Sequence, residues 1–284
     1  MLIFNCSVAL VVIAASLIIR LRTWRVRWET SATVGLALLG AGWLLMTPLS
    51  TVTIGHGAYR MTGIMHIDDF LGNVTWLGAA LCFLYYTLER LAAEHEIGPI
   101  ITTWATPLVV IVPMMLGSLV MSGEMQDHEG IELTDIHADL QVCIYRAMWH
   151  GGMLYLCLLS IYVLRIVLRD TDKRSHVVAT LFLWANAIAV LKIAVRIVAF
   201  WPQYSGLAPV FQGLAAASAS LVAGALAYSW LVKVRPYAKL LRGLRRPNTI
   251  VLEVLPPPAR PEPPQPQRTL DPPETEPGPT AAAR

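Results

Sequence analysis

Charged residues are scarce. Asp, Glu, Lys and Arg make up 14% of the 284 residues, where an ordinary soluble domain carries about 25%. Too few polar side chains remain to coat a water-facing surface of this size, which excludes a conventional soluble fold. Basic residues are also missing ahead of the first apolar run, Leu2–Ile19, whereas Arg20, Arg22, Arg25 and Arg27 follow it. A secretory signal has the opposite order, so this run reads as a first span and not as a cleaved leader. HExxH, GxSxG and CxxC do not occur, and no aspartyl pair stands at matched depth, which disfavours an enzyme. The formal charge of +3 is small and dispersed, which excludes a nucleic-acid partner.

Apolar length is what the chain has in abundance. Seven runs, Leu2–Ile19, Thr33–Ile54, Phe70–Leu88, Ile100–Met121, Ala147–Val167, Val177–Val198 and Leu207–Val232, are each expected to be long enough to cross a bilayer. A segment isolated in lipid must satisfy its own amide groups, so each run is expected as a helix. Pro48, Pro107 and Pro113 predict kinks in the second and fourth. The reading is an all-α, polytopic seven-span bundle over residues 1–232, a basic juxtamembrane segment over 233–255 and a proline-rich, disordered tail over 256–284.

Basic residues orient it. Four arginines follow the first span, Arg165, Arg169, Lys173 and Arg174 follow the fifth, and Lys233, Arg235, Lys239, Arg242, Arg245 and Arg246 follow the seventh. The connections on the other side are nearly free of them, and cytoplasmic loops carry the excess, so the N-terminus is expected outside and the tail in the cytoplasm. Trp24, Trp28, Phe200 and Trp201 sit where interfacial anchors belong. Cys82 and Cys157 fall within spans as packing residues, while Cys6 and Cys143 fall near the outer face, where a disulfide between them is open. In the seventh span, Ala216, Ser220 and Gly224, with Gly213 and Ala217, allow close approach of a helix from the same bundle or from a second copy.

Ionisable residues inside apolar runs supply the candidate sites. Lys192 and Arg196 lie one turn apart in the sixth span, and Arg146 and His150 are spaced likewise at the start of the fifth. Arg196 stands five residues from Trp201, about 7 Å along a helix, and can snorkel. Lys192 stands nine away, about 13 Å, and should face the bundle interior, where Asp69, Asp135, Asp139 or an anionic ligand could meet it. Asp68 and Asp69 open the third span beside His66, as carboxylates favour a helix start, and Asn73 lies one turn on, where it could bond across the bundle. His56 and His66 are placed in a loop. A haem would want a second histidine at the depth of His150, and none is clear. A retinal would want a lysine inside the seventh span, which has none.

Between the fourth and fifth spans, residues 123–145 hold six acids and no Lys or Arg. From Ile131 the pattern turns helical, with Ile136, Leu140 and Ile144 on one stripe and Glu132, Asp135 and Asp139 on another, which His128 would extend. Two readings stand: a cation site, with the metal unidentified, and the solvated face of an amphipathic helix. On the other side, the basic segment after Val232 suits anionic headgroups, and the tail, with RxxPxxP and PxxPxR matches among its prolines, is a candidate for a cytoplasmic protein partner.

The stretches IDDFLGNVTWLGAALCFLYYTLERL and DIHADLQVCIYRAMWHGGMLYLCLLSIYVLRIVLR, with the Lys192/Arg196 span, resemble a group of actinobacterial multi-pass proteins that go under transporter or uncharacterised-protein labels. That resemblance covers about half the chain and implies a bacterial or bacteriophage-related origin, a plasma-membrane address and no particular reaction or cofactor. In that group a folded cytoplasmic domain commonly follows the spans, and here a short proline-rich tail stands in its place. Small-molecule or ion transport is the leading functional expectation, and a membrane sensor acting through its tail is the alternative, although no internal repeat of the kind common in transporters is evident.

Overall fold

The computed structural model describes residues 2–21, 24, 27–127, 139–169, 173–199 and 206–244. It is all-helical over those residues: α1 (Leu2–Ile19), α2 (Arg27–Leu45), α3 (Pro48–Ser50), a π turn (Thr51–Gly55), α4 (His56–Thr62), α5 (Ile67–Leu88), α6 (Glu94–Met121), α7 (Gly123–Asp127), α8 (Leu140–Val167), α9 (Lys173–Val198) and α10 (Ala208–Leu244). Residues up to Tyr237 form one unit and Ala238–Arg284 a second, of which the end of α10 is the described part. Phe200, Trp201, His128, Glu132, Asp135 and the tail from Arg245 lie outside the described residues.

Among the described residues, five helices are long and apolar enough to cross a membrane: α5, α6, α8, α9 and α10. A sixth crossing is available if α2 and the segment Pro48–Thr62 form one bent span, and α1 is a shorter apolar helix. This is a multi-pass helical membrane protein. Its outer faces fit hydrocarbon: Val109, Val110, Val120 and Met121 on α6 are exposed, as are Phe4, Val11 and Ile18 on α1.

The second apolar run departs most from expectation. Its helix stops at Leu45 and turns through 69° before Pro48–Thr62 continues. Proline brings no N–H for a bond back to Leu44 and pushes the residue before it out of the α region. Thr47 accordingly takes φ −88°, ψ 150°. Its hydroxyl donates to the Leu44 carbonyl at 2.6 Å, and its backbone N–H reaches the same oxygen at 3.1 Å. His56 is therefore the first residue of α4 and not part of a loop, and the left-handed Gly63 (φ 71°) closes that helix with its N–H on the Tyr59 carbonyl. His66 is the residue from which α5 starts.

Side-chain bonds fix how the helices run. Ser16 Oγ donates to the Ala223 carbonyl (2.8 Å) and Arg20 Nη1 to the Leu226 carbonyl (3.0 Å), so α1 and α10 are parallel. Ser31 Oγ donates to Glu89 Oε2 (2.9 Å), which sets the start of α2 beside the end of α5. Asn73 Nδ2 donates to Tyr145 Oη (2.8 Å), which brings the starts of α5 and α8 together. Ser218 Oγ donates to the Ala185 carbonyl (2.8 Å), tying α10 to α9. The long helices alternate in direction between an Arg20 end and an Asp139 end.

On α1 the buried residues Cys6, Ala9, Ile13, Ser16 and Arg20 recur at steps of three and four, one stripe of a helix. That stripe ends in a buried charge cluster. Arg20 and Glu29 are both 0% exposed and paired at 2.8 Å, Arg20 Nη2 also reaches Thr33 Oγ1 at 3.2 Å, and Lys233 of α10 bonds the other oxygen of Glu29. Arg20 is thus a structural cation within the bundle as well as a member of the basic cluster that follows the first span.

Removing one member of such a pair leaves the other buried without its counter-charge, at a cost of about 3–5 kcal/mol, whereas replacing both with apolar groups is often neutral. Glu29→Leu should therefore lower the unfolding midpoint of the purified protein sharply, and Arg20→Met combined with Glu29→Leu should restore most of it. Additive losses in the double variant would refute this account of the cluster.

Candidate functional site

α2 and α5 meet over small residues. A Cβ added at Gly35 would fall 2.7 Å from the Phe83 ring, and one at Gly42 would fall 2.1 Å from the Trp76 indole. Gly42 therefore makes the seat in which Trp76 lies. The rings then form a chain across three helices: Trp43 to Trp76 at 5.4 Å between centroids, and Trp76 to Trp149 at 5.8 Å.

Lys192 of α9 closes this group. It is 7% exposed, with Nζ 4.6 Å from the centroid of Trp76 and 5.1 Å from that of Phe211. Arg196, one turn on and also buried, lies over the same Phe211 ring at 5.3 Å. Lys192 thus faces the interior, and among the described residues its ammonium meets ring faces and no carboxylate. A desolvated cation–π contact supplies about 2 kcal/mol, less than the several kcal/mol that burying an ammonium costs. The site carries positive potential that its own wall leaves partly uncompensated.

That ammonium stands at a cavity of about 90 Å³. α5 contributes Trp76, Ala79, Ala80, Phe83 and Thr87 to its wall, and α9 contributes Phe182, Ala185, Asn186, Ala189 and Lys192. Met153, Cys157, Ser160 and Leu164 of α8, and Ala215, Ser218, Ala219 and Val222 of α10, repeat the same steps of three and four. Each helix thus lends one face along its length. Several polar groups on the wall bond to carbonyls within the bundle: Thr87 Oγ1 donates to Leu84, Asn186 Nδ2 to Phe182 and Ser218 Oγ to Ala185, each at 2.8 Å. The Thr87 and Ser218 hydroxyl protons and one Asn186 N–H are thereby taken, and the surface of the cavity is largely apolar.

The other candidates fall elsewhere. Arg146 and His150 line a separate cavity of about 470 Å³ with Cys143, Gly151, Ile193 and Ile197, and His150 Nδ1 lies 2.7 Å from the Arg146 carbonyl. Asp69 sits 3.5 Å from His66 Nδ1. Asn73 is engaged in its cross-bundle bond to Tyr145. Asp139 has φ −81°, ψ 176°, and is the N-cap of α8 and not a member of a helical stripe. Its Oδ1 accepts from the Val142 N–H at 2.6 Å and its Oδ2 from Ser122 Oγ at 2.9 Å. Capping, which satisfies an otherwise unpaired amide, decides its place. The remainder of the acidic stripe lies outside the described residues, and among the described residues no group of three His, Cys, Asp or Glu side chains could hold a metal. Cys6 is buried and Cys143 exposed, and no disulfide joins them.

Comparison with protein-family models, curated proteins and solved structures finds no match.

Trp43, Trp149, Phe211 and the helix faces that make the cavity were not singled out by sequence reasoning. The steps of three and four from Trp76 to Thr87 were visible, but that period marks any buried helix face. Gly42→Ala should displace Trp76 and cost about 1–3 kcal/mol through overpacking. Gly57→Ala, where an added Cβ meets nothing within 4 Å, should leave the midpoint unchanged or slightly raised, since alanine suits a helix better than glycine. Equal unfolding midpoints for the two variants would show that Gly42 is not the seat of Trp76.

Proposed function

We propose that this is a seven-pass plasma-membrane protein that binds a small anionic solute beside Lys192 and carries it across the membrane. The observation that carries the reading is a buried ammonium at a cavity wall, held on aromatic faces and facing no carboxylate among the described residues. Intramembrane cations mark ligand paths because lipid gives them no other compensation. An anion entering the cavity would supply the missing counter-charge.

Alternation of the helix directions supports seven crossings, with α1, 18 residues and about 27 Å long, as the first. Arg20, Arg90, Arg165, Arg169 and Lys233 gather toward one end, which favours that end as cytoplasmic. α10 runs on to Leu244 with Lys233, Arg235, Lys239 and Arg242, a segment suited to anionic headgroups at about 1 kcal/mol per charge. The resemblance of the middle of the chain to actinobacterial multi-pass proteins agrees with this address.

Two measurements test the reading. An impermeant maleimide applied to intact cells should label the exposed Cys143, and labelling only after the cells are opened would reverse the orientation. In thermal unfolding of the full chain in phosphatidylcholine nanodiscs, acetate, benzoate and dodecanoate form the test panel. At least one should raise the midpoint of the wild type, with stabilisation approaching about 2.7 kcal/mol at a hundred times Kd, and should not raise that of Lys192→Met. Such an anion should also leave wild-type proteoliposomes faster than those carrying Lys192→Met. A panel that shifts neither protein, or both equally, removes Lys192 from the function.

A further inference from the structure

If the Lys192 cavity is the binding site, as proposed for the function, its shape narrows the class of solute. Its lining runs along α5 from Trp76 to Thr87 and along α8 from Met153 to Leu164, about 16 Å in each case at 1.5 Å per residue. About 90 Å³ spread over that length is a slot one chain wide, not a chamber. Lys192 stands at the Trp76 end of it. Thr87, Leu164 and Phe182 also line a separate void of about 10 Å³ beside Tyr86 and Arg90, at the lower limit of what one water needs.

A small hydrated anion would meet the ammonium but leave most of this apolar length unused. A neutral hydrocarbon would fill the length and leave the ammonium uncompensated. An uncharged polar solute would leave the ammonium uncompensated and meet few polar atoms along the wall, where the Thr87 hydroxyl and one Asn186 N–H already donate to helix carbonyls. We propose that the solute is a single-chain anionic amphiphile, its head on Lys192 and its hydrocarbon chain laid between α5, α8, α9 and α10 toward Thr87. The same chemistry is offered by a free long-chain carboxylate and by one acyl chain of an anionic lipid.

Equilibrium binding of radiolabelled dodecanoate and of dodecanol to the full chain in phosphatidylcholine nanodiscs tests this. Dodecanoate should bind at least about tenfold more tightly than dodecanol, as expected for bonding to a charged group, and acetate should displace it poorly. Lys192→Met should bring dodecanoate to the level of dodecanol. Ala189→Phe, which fills the middle of the slot, should weaken both. Repeating the assay in nanodiscs with phosphatidylglycerol separates the two sources: competition assigns the lipid chain, and its absence assigns the free carboxylate. Equal affinities for dodecanoate and dodecanol in the wild type, or no effect of Ala189→Phe, would overturn the proposal. Acetate displacing dodecanoate at comparable concentration would also overturn it, while leaving an anion site at Lys192 standing. Failure of every anion to bind would take down the site itself.

Discussion

A cation withdrawn from water must be met by negative potential, and this chain meets that constraint in two different ways. Arg20 is met by a full carboxylate: Glu29 pairs with it, Thr33 and the Leu226 carbonyl take further guanidinium donors, and Lys233 shares the acid. Lys192 is met by the faces of Trp76 and Phe211. The first arrangement is a fastening, because its partners come from α1, α2 and α10 and hold those helices in register. Among the described residues the second is incomplete, because ring quadrupoles return less than ammonium burial costs. Function is more readily placed where compensation is incomplete.

The second arrangement depends on an indole seated against a helix backbone. Trp76 lies where a side chain at position 42 would stand, so its indole is positioned by the absence of a Cβ on α2. From there it reaches Trp43 on one side and Trp149 on the other, and presents a face to Lys192. Four helices therefore converge on one indole: α2, α5, α8 and α9. The bend at Thr47 belongs to the same region of α2, since it ends the helix only a turn beyond Trp43 and sends the following chain off by 69°.

Much of the helical frame was legible because hydrocarbon imposes length and apolarity on any crossing helix. The stretch Leu2–Ile19 is a helix with those bounds, and the others, apart from the broken Thr33–Ile54 run, differ mainly at their ends, as at Leu140 and Glu94. Pro48 announced a kink but not its size, which follows from Thr47 turning extended. Lys192 was legible by depth alone. Its aromatic partners were not, since they come from α5 and α10, and sequence spacing within one helix does not say which neighbour it faces. Asp139 read as part of a periodic acidic stripe, yet a cap breaks the periodicity it borders. The pairing of Arg20 with Glu29 was hidden for the same reason as the partners of Lys192: it joins different helices, α1 and α2, with Lys233 of α10 on the same acid.

The polar side chains of the cavity wall connect these observations. Hydroxyl and amide donors in a membrane bundle commonly bond to helix carbonyls, and Thr87, Asn186 and Ser218 do so here. This leaves few donors along the slot to hold ordered water, since a buried water wants about three partners and the polar atoms that remain on the wall are few, those of Ser160 and the Asn186 carbonyl oxygen among them. What remains is an apolar passage with its charge concentrated at the Lys192 end. In such a passage, recognition divides by position: the chain portion of a solute is measured by width, and its head by charge. A wall lined with many free hydroxyls would blur that division, and the bonding of Thr87, Asn186 and Ser218 to helix carbonyls limits their number.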